Sequence, residues 1–183
     1  LVELVLSEHK EKNISLLDVC TGSGCIAISL AKLGGYTDVT ALDLSEEALK
    51  VARSNGEKLL DQPVKFIKSD MFSALNPEKQ YNVIVSNPPY IPSQVIEGLE
   101  PEVKDHEPRL ALDGEEDGLA FYRKIIEQAP DYLNSNGRIY FEIGAEQGED
   151  MIRLMTDRGF SEVKVHKDLA GLDRIATGIY SRR

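Results

Sequence analysis

The chain has 183 residues, 42% of them hydrophobic and 28% charged, with a net charge of −10. That length fits one domain with enough apolar material to bury a core unaided by disulfides or metals. The acidic balance counts against sequence-independent nucleic-acid binding, which needs Lys and Arg along the phosphates. No apolar run reaches the ~18 residues of a membrane span.

Cys20 and Cys25 are the only cysteines, too few for a structural zinc site or a disulfide framework. Residues 1–12 mix Glu, His and Lys into the apolar positions and do not read as a signal peptide. Together these features predict a reduced, cytoplasmic protein. The chain opens on Leu1 inside a helical pattern, so we expect a piece of something longer.

In chain order, Leu1, Val2, Val5 and Leu6 predict a helix within 1–12. Residues 14–20 form a short apolar strand, then a Gly-rich turn, Thr21-Gly22-Ser23-Gly24, opens a helix over 26–33 closed by Gly34 and Gly35. A second strand, 39–44, carries Asp43 at its end. Ser45 then caps a helix to about residue 60, with Glu46 and Glu47 in its first turn. Strand 64–67 leads to Ser69-Asp70-Met71, and strand 81–86 leads to Asn87-Pro88-Pro89-Tyr90.

Residues 91–117 hold three of the eight prolines and many acids, and predict an irregular lid or binding loop with a solvated acidic run at 113–117. Helix 119–133, strand 138–143, helix 146–158 and strands 162–167 and 174–180 follow. The last two strands are joined by too few residues for a parallel crossover, so that pair is predicted antiparallel. The fold class is therefore α/β: one domain over 1–183, with a doubly wound, seven-stranded, mainly parallel sheet and an antiparallel last strand. The common S-adenosylmethionine-dependent methyltransferases share this architecture, whereas a plain dinucleotide dehydrogenase is expected to stay parallel.

The turn containing Asp18, Cys20, Thr21, Gly22, Ser23 and Gly24 lets backbone approach a ligand closely, and Asp43, at the end of the next strand, can take both hydroxyls of a ribose. The bland alternative is a Gly-rich turn with a surface Asp. Gly22-x-Gly24-x-x-Ala27 also satisfies a dinucleotide fingerprint, which keeps a nicotinamide enzyme open at this point. Asp70 can accept from an adenine amino group while Met71 lies against the ring; the alternative is a loop Asp with a core Met.

Asn87-Pro88-Pro89-Tyr90 is the sharpest signal. A planar –NH2 group has its lone pair delocalised and is a poor nucleophile. Two acceptors on its N–H bonds, the Asn87 side-chain oxygen and the Pro88 carbonyl, would fix it and favour pyramidalisation toward a methyl donor. The prolines stiffen the loop and remove competing donors, and Tyr90 can stack on the planar group. The alternative is a rigid turn with a packed Tyr.

With these residues the chain resembles the HemK/PrmC protein-glutamine methyltransferases. The resemblance runs through Asp18 to Ala27, Asp43, and Val85-Ser86-Asn87-Pro88-Pro89-Tyr90-Ile91-Pro92. It continues in Pro101-Glu102-Val103, Glu107-Pro108, Ala111-Leu112, Gly118-Leu119, Phe121-Tyr122, Glu142-Ile143-Gly144, Gln147-Gly148 and Asp168-Leu169-Ala170-Gly171 with Asp173-Arg174. It implies S-adenosylmethionine as cofactor, S-adenosylhomocysteine as product, and as substrate the glutamine amide in the Gly-Gly-Gln motif of peptide-chain release factors. Asp18, Cys20, Thr21, Gly22, Ser23, Gly24, Asp43, Asp70, Met71 and Asn87 would hold the cofactor, and Asn87, Pro88, Pro89 and Tyr90 the target.

The Asn-Pro-Pro-Tyr signature alone also fits adenine amino methyltransferases of DNA or RNA, and a catalytically silent binding domain is a third reading. Members of the family often have Gly where Cys20 stands, so an ordinary backbone is expected there. The family's N-terminal helical domain is expected to be missing. Glu102, Glu107 and Glu142 could shape the lid. His9, His106 and His166 show no metal spacing, and both cysteines read as buried small residues.

Overall fold

Strands form where β-branched and apolar residues run together, and the sheet they build places the candidate cofactor and target residues between Asp18 and Tyr90 along one edge. The computed structural model describes residues 1–98 and 108–181. Strands β1 (Ser15–Val19), β2 (Asp38–Asp43), β3 (Lys65–Lys68), β4 (Tyr81–Ser86), β5 (Leu133–Glu142), β6 (Ser161–Lys167) and β7 (Asp173–Tyr180) form one seven-stranded sheet in the order β3-β2-β1-β4-β5-β7-β6. Neighbours from β3 to β5 are parallel, and β7 runs antiparallel between β5 and β6. The predicted fold class and antiparallel end are both observed.

The helices are α1 (Val2–Glu8), α2 (Cys25–Gly34), α3 (Glu46–Leu59), α4 (Ser93–Ile96), α5 (Arg109–Leu112), α6 (Ala120–Tyr132) and α7 (Gly148–Asp157). Ser45 caps α3 as expected, its hydroxyl accepting from Ala48 N–H at 3.2 Å. Successive strand residues face opposite sides, so the core divides in two. Leu17, Val19, Leu42 and Ile84 pack with Tyr122, Ile125, Met151 and Met155 from α6 and α7. Leu16, Ala41, Val83 and Val85 pack with Val5, Ala27 and Leu30 from α1 and α2.

Several expectations need correcting. The first helix stops at Glu8 instead of extending toward Lys12, because no apolar residue beyond Leu6 anchors it and His9 turns extended. Strand β5 begins at Leu133. An irregularity opposite Asn82 accommodates the Asn134-Ser135-Asn136-Gly137 stretch that reads as a turn, and regular pairing starts at Arg138. Residues 91–117 carry α4 and α5, and Ile91 bridges to Asp113.

The acidic run is tied down by specific partners. Asp113 accepts from Ser93 Oγ at 2.5 Å and Glu115 N–H at 3.1 Å, Glu115 pairs with Lys124 at 3.1 Å, and Asp117 pairs with Arg123. His9 bonds Tyr140 Oη at 2.9 Å and His166 lies 3.3 Å from Thr177 Oγ1. His106, Glu102 and Glu107 lie outside the described residues.

Candidate active site

Parallel pairing aligns Val19 with both Leu42 and Ser86, and Asp43 with Lys68. The loops that follow β1, β2, β3 and β4 therefore emerge side by side. The chain reverses its direction of winding between β1 and β4, and the carboxyl edge at such a reversal is where open α/β sheets leave a crevice.

The first loop is held by Asp18, a fully buried carboxylate at the end of β1. Its Oδ2 accepts from Thr21 Oγ1 at 2.6 Å and from Ala27 N–H at 3.1 Å, while its Oδ1 is buried with no hydrogen-bond partner. Burial pushes the Asp18 carboxyl from 3.8 up to about 7, against the pull of those two donors, and the nearby Asp43 charge adds to the rise. A raised carboxyl pKa favours the fold most when the group is protonated in both states. Asp18's contribution is therefore fully present below pH 3.8 and lost as pH rises through about 7. Asp18→Asn is expected to flatten that loss in urea unfolding midpoints across this range; an unchanged slope would contradict the assignment.

Cys20 departs from expectation. Its φ is +61°, in the left-handed region, although it carries a side chain. The chain must reverse there so that Thr21 N–H can reach Leu42 O at 2.8 Å and Thr21 Oγ1 can reach Asp18. This conformation costs about 1–2 kcal/mol for a residue with a Cβ, and relief by Gly is partly offset by about 0.4–1 kcal/mol of unfolded-state entropy. Cys20→Gly is expected to leave the melting temperature unchanged or raised and Cys20→Val to lower it; thermal unfolding of the pair in the reverse order would refute the strain. Burial, with the Asp43 and Asp18 charges, pushes the Cys20 thiol up to about 12, so it is a neutral group rather than a nucleophile. Cys25, expected to be buried, is exposed at the start of α2.

Asp43 closes the turn from the second loop. Its Oδ2 accepts from Gly22 N–H and its Oδ1 from Ser45 N–H, both at 2.8 Å. Each oxygen keeps a lone pair for another donor. Gly22, at φ +55°, points its missing Cβ into open space, where a side chain would be strained and would intrude. Gly24 serves packing instead. A Cβ there would lie 3.0–3.2 Å from Ile28, Ala52 and Phe66, so its absence lets α2 approach closely. Ser69 Oγ fixes the third loop, donating to Met71 O at 2.7 Å and accepting from Ala74 N–H at 3.1 Å. Met71 itself is left-handed, at φ +49°.

In the fourth loop Asn87 is exposed while Pro88 and Pro89 are buried and Tyr90 is half-buried against the core. No described residue hydrogen-bonds the Asn87 side chain. Ser86 Oγ, donating to Val19 O at 2.6 Å, ties the base of this loop to the first.

These loops enclose a cleft of about 410 Å³. Of the residues singled out in the sequence, Cys20, Thr21, Gly22, Ser23, Asp43, Asp70, Met71, Asn87 and Pro89 line it. Asp18, Gly24, Pro88 and Tyr90 do not; they support the lining residues. Glu142 ends β5 and gives its carbonyl to Tyr122 Oη at 2.7 Å. Apolar walls that sequence reasoning missed come from Ile26, Leu44, Leu110, Ala111 and Phe121. Among the described residues the lining carries the carboxylates Asp43 and Asp70 and no Lys, Arg or His. That charge suits a cationic or neutral ligand and disfavours a phosphate.

The methyltransferase small domain profile matches residues 2–99 of this chain. The chain belongs to the methyltransferase small domain family. Among curated relatives, it is 46% identical over 179 residues to the release factor glutamine methyltransferase of Bacteroides thetaiotaomicron, covering 97% of this chain and 64% of that protein. It is 42% identical over 178 residues to the same enzyme from Thermodesulfovibrio yellowstonii, covering 96% and 63%. The chain thus spans under two thirds of the length of these relatives. The crystal structure of the release-factor-specific protein-(glutamine-N5) methyltransferase of Alicyclobacillus acidocaldarius superposes with a TM-score of 0.57 at 28% identity, over 99% of this chain and 90% of that one. No helix among the described residues is long and apolar enough to cross a membrane.

Proposed function

We propose that this family member binds S-adenosylmethionine in the cleft and methylates the side-chain amide nitrogen of a glutamine, in the Gly-Gly-Gln motif of peptide-chain release factors. The observation that carries this reading is the Asn87 amide, bonded by no described residue, at a cleft whose described lining carries two carboxylates and no basic side chain. The names of the relatives, at 42–46% identity, supply the substrate class.

The residues present fit the cofactor. Asp43, already oriented by two backbone donors, has acceptors left for ribose hydroxyls; Asp70 has its carboxylate for an adenine amino group, with Met71 and Leu44 as apolar walls. The open space at Gly22 receives the amino-acid portion, and the surrounding negative charge favours a sulfonium. The same lining weakens the nicotinamide alternative, because a pyrophosphate would face Asp43 and Asp70 with no cation among the described lining residues to balance it. When bound, S-adenosylmethionine supplies an electrophilic methyl group.

The protein's own part is positioning, which can supply much of the rate. Asn87 Oδ1 and the Pro88 carbonyl accept the two N–H bonds of the target amide, hold the plane of that group, and favour pyramidal nitrogen as its lone pair takes the methyl. Pro88 and Pro89 keep the acceptors unchallenged by local donors. The nitrogen then loses a proton to solvent. Tyr90, half-buried against the core behind the cleft lining, backs the loop from its far end. We place the activity in the cytoplasm, in keeping with the two free cysteines.

Transfer of a labelled methyl group to a release factor and to an adenine-containing oligonucleotide, measured side by side, tests this reading. Label is expected in the protein. Label in the oligonucleotide alone would favour the adenine amino methyltransferase instead.

A further inference from the structure

The 87–90 loop has few means of holding its own shape. Pro88 and Pro89 have no N–H, and no described residue bonds the Asn87 amide. Its far end is fixed by contacts from two other segments, 112–118 and the turn that holds Gln147. Ile91 N–H donates to Leu112 O at 3.0 Å and Gly114 N–H to Ile91 O at 2.8 Å. The remaining tie is a side chain: Gln147, immediately before α7 and outside the cleft lining, donates through Nε2 to Tyr90 O at 3.1 Å and to Gly118 O at 3.2 Å. Its Oε1 accepts from Gly144 N–H at 2.9 Å. Both amide protons and the carbonyl are thus used, each on the backbone of a different loop.

The surroundings admit little displacement. A Cβ on Gly118 would collide with Tyr90 O and lie 2.9 Å from Gln147 Nε2, and one on Gly114 would lie 2.9 Å from Tyr90 C and Cα. Backbone at Gly114 and Gly118 therefore closes on Tyr90, with Gln147 at the junction. The fixed φ of both prolines removes two of the torsions between Tyr90 and the backbone of Asn87, so anchoring Tyr90 narrows the positions open to that backbone and to the Pro88 carbonyl.

We propose that Gln147 is a positioning residue that locks the 87–90 loop in the shape that receives the target amide. The inference rests on the glutamine methyltransferase reading. Gln147→Glu removes both donors and sets a carboxylate against two carbonyl oxygens while keeping an acceptor for Gly144; Gln147→Ala removes all three contacts. Both variants are expected to lower kcat for a Gly-Gly-Gln peptide by on the order of 100-fold, the scale of a misplaced reacting geometry, with S-adenosylhomocysteine affinity in calorimetry unchanged. As pH falls from about 8 to about 6, protonation returns one donor to the Glu side chain, so Gln147→Glu should recover relative to Gln147→Ala. Amide hydrogen exchange should quicken at Ile91 and Gly114 in both variants.

Unchanged kcat, equal pH profiles for the two variants, or unchanged exchange at Ile91 would each overturn the inference. Absence of peptide methylation by the unsubstituted chain would count against the glutamine reading, and the exchange result alone would then decide whether Gln147 holds the loop.

Discussion

Asn87→Ala is expected to slow single-turnover methylation of a Gly-Gly-Gln substrate by about 2–4 kcal/mol of transition-state stabilisation, the scale for one preorganised hydrogen-bond partner, or on the order of 30- to 1000-fold. The side chain is exposed and no described residue bonds to it, so its loss removes nothing from the folded framework. What it removes is an acceptor whose value rises as the target nitrogen pyramidalises. The effect should therefore fall on the rate and leave S-adenosylhomocysteine binding largely intact. Asn87→Asp separates the parts of the interaction: it keeps an acceptor, adds charge and loses the NH2. If Asn87 only shaped the turn, Asn87→Ala would methylate at nearly the original rate.

Asp43→Ala should act on the other half of the reaction. Removing a charged hydrogen-bond partner costs about 1.5–3 kcal/mol, so S-adenosylhomocysteine should bind on the order of 10- to 150-fold more weakly in calorimetry. The structure adds a second route to the loss, because this carboxylate also holds Gly22 N–H and Ser45 N–H. Asp43→Asn distinguishes the routes, since it retains one acceptor and gives up the charge. A melting temperature recorded for each variant separates a loosened turn from a lost ligand contact. Tighter binding of NAD than of S-adenosylhomocysteine to the unsubstituted chain would contradict the cofactor assignment.

Much of this arrangement was legible because buried parallel strands leave a simple trace. Val83-Ile84-Val85 marks a strand whose observed bounds, Tyr81–Ser86, match the expected ones, and Asp18 and Asp43 at the ends of β1 and β2, with Asp70 after β3 and Asn87 after β4, mark the sheet's carboxyl edge. The strands β6 and β7 paired as expected because a short connection leaves no room for a crossover.

Other features were hidden for physical reasons. The left-handed backbone at Cys20 is imposed by a bond to Leu42 on the neighbouring strand, which no local propensity reports. Ala111 and Phe121 carry part of the family resemblance but no site role in sequence, and only the tertiary fold turns them, with Leu110, into a cleft wall. Gln147 belongs to the stretch that carries the family resemblance, but its role was hidden, because two of its three backbone partners, Tyr90 and Gly118, are brought to it from distant parts of the chain.

The most direct test of the central claim is tandem mass spectrometry of a release factor and of a Gly-Gly-Gln peptide after incubation with this protein and isotopically labelled S-adenosylmethionine. The account predicts one labelled methyl group on the glutamine side-chain amide nitrogen, abolished by replacing that glutamine. A label on any other residue, or transfer that persists after the replacement, would contradict it.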